Sequence, residues 1–358
     1  MRRASWPRNA FTKRLGLRRP IVQAPMAGGI TTPELVAGVS RIGALGSLAA
    51  AISAPQRIRA DCEAIRALTG EPFAVNLFVL EPTEADVAEV ARGWASLAPF
   101  RDELGLSETE PPQQFAQRFD AQLEALIELA PAVASFTFGI VDAQTVERLH
   151  ARGCYVIGTA THVAEARAWA EVGADAVVAQ GAEAGAHRGT FIGGFDEAMV
   201  GTMALVPQVV DAVRIPVLAA GGIMDGRGAA AAVMLGASAV VLGTAFLTCF
   251  EAGTPAAWKD RLAAAKETDT RVTRVFSGRA ARGIVTDFMR RMQALEDTVP
   301  AYPIQNALTG GIRAAAARAG NPEYLSLWAG QGVPMARKTS AADLIERVDA
   351  QARELLNV

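Results

Sequence analysis

The residues best suited to chemistry lie between Asp175 and Phe191, in the stretch DAVVAQGAEAGAHRGTF. An apolar run, Ala176-Val177-Val178-Ala179, stops at Gln180, and the glycine-rich loop that follows carries His187 and Arg188. Imidazole titrates near neutral pH, so a histidine here can move a proton or hold an anion. His187 falls just past the end of a predicted buried strand, where α/β barrels place their chemistry. Two other histidines read differently. His162 is expected in the first turn of a helix capped by Thr161, and His150, beside Arg152-Gly153, reads as structural. Glu183 reads as a loop contact, and Arg188 as one half of a scaffold ion pair.

Two further loops predict an anion site. Leu218-Ala219-Ala220-Gly221-Gly222-Ile223 ends a strand in two glycines. Val241-Leu242-Gly243-Thr244-Ala245 ends the next strand and opens a predicted helix. Backbone N–H groups at such ends favour phosphate, and barrels commonly bind phosphate in these two loops. The first strand closes in an uncharged loop, Gln23-Ala24-Pro25-Met26-Ala27-Gly28-Gly29, and amides stand at Asn76 and Gln180. Amides both donate and accept, which suits the edge of a flat heterocycle. The absence of a Lys, Asp or Glu cluster at these ends argues against Schiff-base or two-metal chemistry. A planar cofactor bearing a phosphate is the simplest reading, and FMN is compatible with it. Cys62, Cys154 and Cys249 show no metal spacing, so no metal site is expected, and they read as reduced thiols of a cytoplasmic protein.

Such residues need a scaffold that gathers strand ends. Eight short, nearly continuous apolar runs are present: Pro20–Ala24, Ala44–Leu48, Ala74–Val79, Ala134–Phe138, Tyr155–Thr159, Ala176–Ala179, Pro216–Ala220 and Ala239–Leu242. That pattern suits strands buried on both faces of a parallel sheet. Helical patterns lie between them, at Pro33–Val39 (capped by Thr32), Ala143–His150, Val163–Val172, Met203–Val213 and Arg227–Leu235, and a short one at Ala10–Leu15 precedes them. The alternation predicts a TIM (β/α)8 barrel. An internal repeat agrees: Gly173-Ala174-Asp175-Ala176-Val177-Val178 returns as Gly236-Ala237-Ser238-Ala239-Val240-Val241. Two regions break the rhythm, Glu81–Pro131, with a helical pattern at Phe115–Leu129, and the tail from Gly253, which reads as mostly helical. The expected organisation is a barrel from 1–80 and 132–252, with a helical substrate or lid domain from 81–131 and 253–358.

Composition excludes some classes. The net charge of −2 gives no overall basic excess for nucleic acid. No stretch of 18 apolar residues free of charge is present, so no membrane span is expected. The basic N-terminus lacks the apolar core of a secretory signal.

The chain resembles the nitronate monooxygenases, and in particular their bacterial class I. The resemblance rests on Gln23–Gly29, Val75-Asn76-Leu77-Phe78, Ser135-Phe136-Thr137-Phe138-Gly139, Gly181–Gly189 and Ala219–Ile223. In the tail it rests on Thr273–Arg279, Tyr302-Pro303-Ile304-Gln305-Asn306 and Ser326–Gly332. It implies an FMN-bearing barrel with an added helical domain. The implied reaction is oxidation of alkyl nitronates, such as propionate 3-nitronate, by O2, to a carbonyl product and nitrite or nitrate. It implies that Met26, Asn76, Gln180, Gly185, Gly222, Gly243 and Thr244 contact FMN, that His187 is the active-site histidine, and that Tyr302 borders the substrate. The implied partners are a small nitronate and O2, with the chain a monomer or homodimer. One position departs from the family: its loop reads Gly-Gly-His-Arg-Gly, and Ala186 stands here at the second glycine. If the backbone there has positive φ, the methyl group costs about 1 kcal/mol or more. The alternative within the same fold is an FMN-dependent enoyl-acyl-carrier-protein reductase using NAD(P)H, against which the Tyr302–Asn306 and Trp328–Gly332 motifs weigh. A third reading is a barrel that keeps its phosphate site only as a binding module.

Overall fold

Eight parallel strands form the frame, followed through a computed structural model that describes residues 6–82, 84–107 and 110–358. In chain order the strands are β1 (Ile21–Gln23), β2 (Gly46–Ala49), β3 (Phe73–Phe78), β4 (Val133–Thr137), β5 (Tyr155–Ala160), β6 (Ala176–Gln180), β7 (Ala186–His187), β8 (Val217–Ala220), β9 (Ala239–Leu242), β10 (Thr270–Thr273) and β11 (Ala281–Ile284). The main sheet runs β1-β9-β8-β6-β5-β4-β3-β2, parallel throughout. A parallel bridge between Val22 and Leu45 joins its two ends. Leu45 N–H donates to Ile21 O and Gln23 N–H to Leu45 O, each at 2.9 Å, so the ring closes into the expected barrel.

The apolar runs are continuous because both faces of each strand are covered. Inside the barrel, Leu45, Ala74, Val133, Ile157, Leu218 and Val241 pack together, and Phe11 of the helix Ala10–Leu15 fills the N-terminal end against Tyr155. Outside, Leu35, Val36 and Val39 of the helix Pro33–Arg41 and Trp169 of Val163–Glu171 belong to a second layer between strands and helices. Thr32 caps its helix as expected, accepting from Leu35 N–H at 3.0 Å.

The repeated hexapeptide has a physical cause. Gly173 (φ +92°) and Gly236 (φ +102°) each end a helix in a left-handed turn. Ala174 N–H reaches Trp169 O and Ala237 N–H reaches Ala232 O, both at 3.0 Å. This is the helix-ending geometry that favours glycine, and it feeds β6 and β9 in the same way.

The tail adds two strands to its helices: β10 and β11 form an antiparallel sheet with β7. Two expectations need correction. The helix expected from Phe115 starts at Phe119, because Arg118 is extended (ψ 121°) at its N-cap. The helix Pro55–Leu68 carried no expectation, although Ile58, Cys62 and Ile65 bury one of its faces at helical spacing. The turn after β9, Thr244–Phe246, is a single 3₁₀ turn rather than a helix. The long insertion and the tail meet in one apolar cluster, in which Val90, Leu97 and Phe100 pack with Phe276, Phe288 and Ile304. Within the basic N-terminus, residues 1–5 lie outside the described residues. Among the described residues no helix is long and apolar enough to cross a membrane.

Candidate active site

A cavity of about 510 Å³ opens among the C-terminal ends of the barrel strands. Met26, Asn76, Gln180, Gly185, His187, Gly222, Gly243, Thr244 and Tyr302 all line it. Residues spread over the whole chain thus converge on one space.

His187 is held by the tail as much as by the barrel. β7 pairs with β11, placing Ala281 opposite His187 and Arg282 opposite Ala186. Gln180 ties the loop to the end of β6: its Nε2 donates to His187 O at 3.0 Å, and its Oε1 accepts from Gly189 N–H at 2.8 Å. Ala186 has φ +59°, the left-handed region where an L side chain costs about 1 kcal/mol or more. Gly185 is needed for a different reason. A Cβ there would lie 2.5 Å from the backbone of Ala329 and Gly330, so only glycine lets the loop and the tail approach this closely.

The imidazole is walled by rings. Its centroid lies 5.4 Å from that of Phe138, 5.7 Å from Tyr302 and 5.6 Å from Trp328. Phe138 stacks on Phe78 at 4.0 Å and carries the Arg279 guanidinium 3.9 Å over its ring. Phe138 also has φ +78°, a strained conformation for a bulky residue, and such strain clusters at functional sites. His187 Nε2 lies 2.8 Å from Ser277 Oγ. The Ser277 hydroxyl donates to Arg279 O at 3.1 Å, so its oxygen is left to accept from the imidazole Nε2–H. That assignment leaves Nδ1 as the basic nitrogen. Burial, with Arg279 and Arg313 nearby, pushes the imidazole pKa down to about 3. The ring is therefore neutral across the physiological range. Burial likewise raises the Tyr302 phenol to about 12.

The other wall is shaped for an anion and a flat polar edge. Gly221 (φ +111°) and Gly222 (φ +71°) turn the chain after β8 in conformations that side chains resist. Thr244 follows β9, and its Oγ1 accepts from Gly330 N–H at 2.9 Å. Asn76 is buried on β3, and its Nδ2 donates to Ser135 Oγ at 3.1 Å. Among the described residues that line the cavity there is no Asp, Glu or Lys. A phosphorylated cofactor would meet no like charge there, so the residues fit the group expected from the sequence.

The remaining candidates stand outside the cavity lining. His162 is itself the helix N-cap, one residue later than expected, because the Glu165 carboxylate takes both Thr161 N–H (2.6 Å) and Thr161 Oγ–H (2.7 Å). The His162 ring bonds Ile192 O at 2.8 Å. His150 is structural, pairing with Asp175 at 2.8 Å. Glu183 accepts from Thr202 N–H and Oγ–H and holds the start of the helix Thr202–Ala212. Arg188 is corrected: its guanidinium donates to Gln180 O, Gly181 O and Ala198 O rather than to an acid. The loop carbonyls reach this buried side chain first. Sequence reasoning gave no site role to Ser277, Phe138, Trp328 or Arg279, which it met only within motifs, and did not name Arg313. One signal was available for Arg313: Gly310, Arg313, Ala314 and Ala317 fall at helical spacing, a stripe of small residues broken by one cation.

The sequence profile of the family described as nitronate monooxygenase matches residues 9–350. The chain belongs to the nitronate monooxygenase family. It is 44% identical to a protein named "Probable nitronate monooxygenase" from Staphylococcus saprophyticus, over 96% of this chain and 97% of that one. Among solved structures it is similar to nitroalkane oxidase from Streptomyces ansochromogenes, with a TM-score of 0.90, 40% identity, and 98% and 99% of the two chains covered. It is also similar to FabK from Thermotoga maritima, with a TM-score of 0.77, 30% identity, and 98% and 97% covered. The chain is thus a flavin-dependent enzyme of this family, whose members carry FMN and oxidise nitronate-type substrates with O2.

Proposed function

We propose that the cavity binds FMN and an alkyl nitronate such as propionate 3-nitronate side by side, with His187 and Tyr302 on the substrate. In this reading Gly222, Gly243 and Thr244 hold the phosphate, while Met26, Asn76, Gln180 and Gly185 border the ring system. The bound flavin supplies the electron-transfer chemistry with O2. The protein supplies position, exclusion of water and charge. Phe78, Phe138, Tyr302 and Trp328 make the substrate side apolar, which strengthens electrostatic contacts inside. His187 works as a neutral imidazole fixed by Ser277, able to accept a hydrogen bond or the α-proton of a nitroalkane at Nδ1. Attraction for the anionic nitronate comes from the neighbouring arginines rather than from an imidazolium. Residues 81–131 and 253–358 form the lid over a barrel of 1–80 and 132–252. The buried, unpaired Cys62, Cys154 and Cys249 support a reducing, cytoplasmic setting.

The observation that carries this reading is the neutral, ring-walled His187 in a cavity with no carboxylate among the described residues that line it. Replacing it tests the assignment. H187N keeps a side chain of similar size and loses the basic ring nitrogen. Turnover of a nitronate should fall by at least about 100-fold, with the protein still purifying with FMN. Near-normal turnover would remove His187 from the chemistry.

A further inference from the structure

Gln180 ends β6 with its carboxamide fixed from both sides. Oε1 accepts from Gly189 N–H at 2.8 Å and from Arg188 Nη1 at 3.2 Å, and Nε2 donates to His187 O at 3.0 Å. The two groups on Oε1 can only donate, and the group on Nε2 can only accept. The opposite flip would set the amide NH2 against two donors, so the orientation is determined. It leaves one Nε2–H with no acceptor among the described residues, on a side chain that lines the cavity. Behind this amide stands a buried charge. Arg188 is 2% exposed and forms no ion pair among the described residues. Its guanidinium is held by neutral oxygens, Gln180 O at 2.9 Å, Gly181 O at 2.7 Å and Ala198 O at 2.6 Å. The carboxylates whose charge acts on it, Glu165 and Glu183, spend their oxygens on Thr161 and Thr202. A buried cation without a counter-ion is costly, and closing a loop does not by itself require one.

Resting on the FMN reading of the cavity, we infer that Arg188 is a positioning residue for the flavin: it fixes the Gln180 carboxamide with an N–H left for the bound ring, and its charge makes that N–H a stronger donor. The direct contact belongs to Gln180. Arg188 acts behind it by drawing electron density onto Oε1, and hydrogen bonds linked in series strengthen one another. A donor backed by a positive charge favours the electron-richer state of the group that accepts from it. Hydrogen bonds and charge at the ring edge are the means by which a protein tunes a flavin. Arg188 therefore raises the reduction potential of bound FMN, which eases removal of electrons from the substrate.

The test reads the midpoint potential of protein-bound FMN in wild type, R188M, Q180L and the double variant. R188M should lose about tenfold in its selectivity for reduced over oxidised FMN, the low end for a hydrogen bond to a charged group. That lowers the two-electron potential by about 30 mV. The shift should vanish in the Q180L background, because the arginine acts through the amide; a shift from general loosening of the loop would survive there. An unchanged potential in R188M with FMN still bound would overturn the inference, and so would equal shifts in both backgrounds. If R188M does not fold, R188K takes its place in the same cycle. The lysine keeps the charge but cannot fork across the amide and the loop carbonyls, so a smaller fall, absent beside Q180L, is expected; no fall overturns the inference. Wild type that holds FMN yet oxidises no nitronate would sink the nitronate reading alone, since the potential is measured without substrate. Wild type that takes up no FMN would sink the cofactor reading and this inference together.

Discussion

Ala186 offers the sharpest test of the loop that carries His187, because its backbone angle sets the sign of the effect. At φ +59° an alanine occupies the left-handed region, which costs an L residue about 1–2 kcal/mol. A186G removes that strain. It also gives the unfolded chain more freedom, a loss of about 0.4–1 kcal/mol. The difference is a net gain of about 0–1.6 kcal/mol, centred near 0.8. Unfolding entropy grows with chain length, so 1 kcal/mol in a chain of 358 residues raises Tm by only about 1–2 °C. Urea unfolding of the FMN-loaded protein is therefore the better assay, and the midpoint should rise with an unchanged slope. A186V should move the other way, since a β-branched residue tolerates positive φ worst. If A186G were destabilised by about 1 kcal/mol, as at an ordinary position with negative φ, the geometry argued for the loop would be wrong.

Other outcomes follow from the geometry around His187 and β5. S277A removes the 2.8 Å partner of His187 Nε2 and should lower kcat by about 2–10-fold while FMN content stays constant; an unchanged kcat would show that the serine does not orient the ring. The imidazole pKa is lowered in the folded protein to about 3, so the unfolded chain takes up this proton first as pH falls. Stability should decline from about pH 6.5 towards pH 3, and H187N should decline less over that window. For the same reason kcat/KM on a pre-formed nitronate should show no histidine break between pH 6 and 8 in wild type. G158A would place a Cβ 2.0 Å from the fully buried Trp169 ring and should destabilise by about 3 kcal/mol or more; a variant as stable as wild type would contradict the packing of β5 against its helix.

The barrel was legible because its signal is local. A buried parallel strand must be apolar on both faces, so Ala239–Leu242 is read with its observed bounds and Tyr155–Thr159 to within one residue. The glycines that end helices before β6 and β9 repeat for the same reason. The small sheet of β7, β10 and β11 was not legible. Its strands are short, and their pairing joins Ala186 to Arg282 across the chain, which no local periodicity records. Arg188 was misread because sequence gives the charge but not which acceptor lies closest; three loop carbonyls satisfy it. Ser277 and Arg313 were not singled out because their significance lies in what they face. One meets the imidazole through the tail, and the other is the charge on a helix face that only the fold turns towards the cavity.

The central claim is flavin-dependent oxidation of a nitronate at this cavity. Oxygen uptake by the purified FMN-loaded protein tests it most directly, with propionate 3-nitronate in one cell and NADPH plus a crotonyl thioester in the other. Rapid uptake with the nitronate alone, needing no NADPH, is the expected result. No uptake there, with NADPH oxidised only when the thioester is present, would contradict the claim and make the enzyme a reductase.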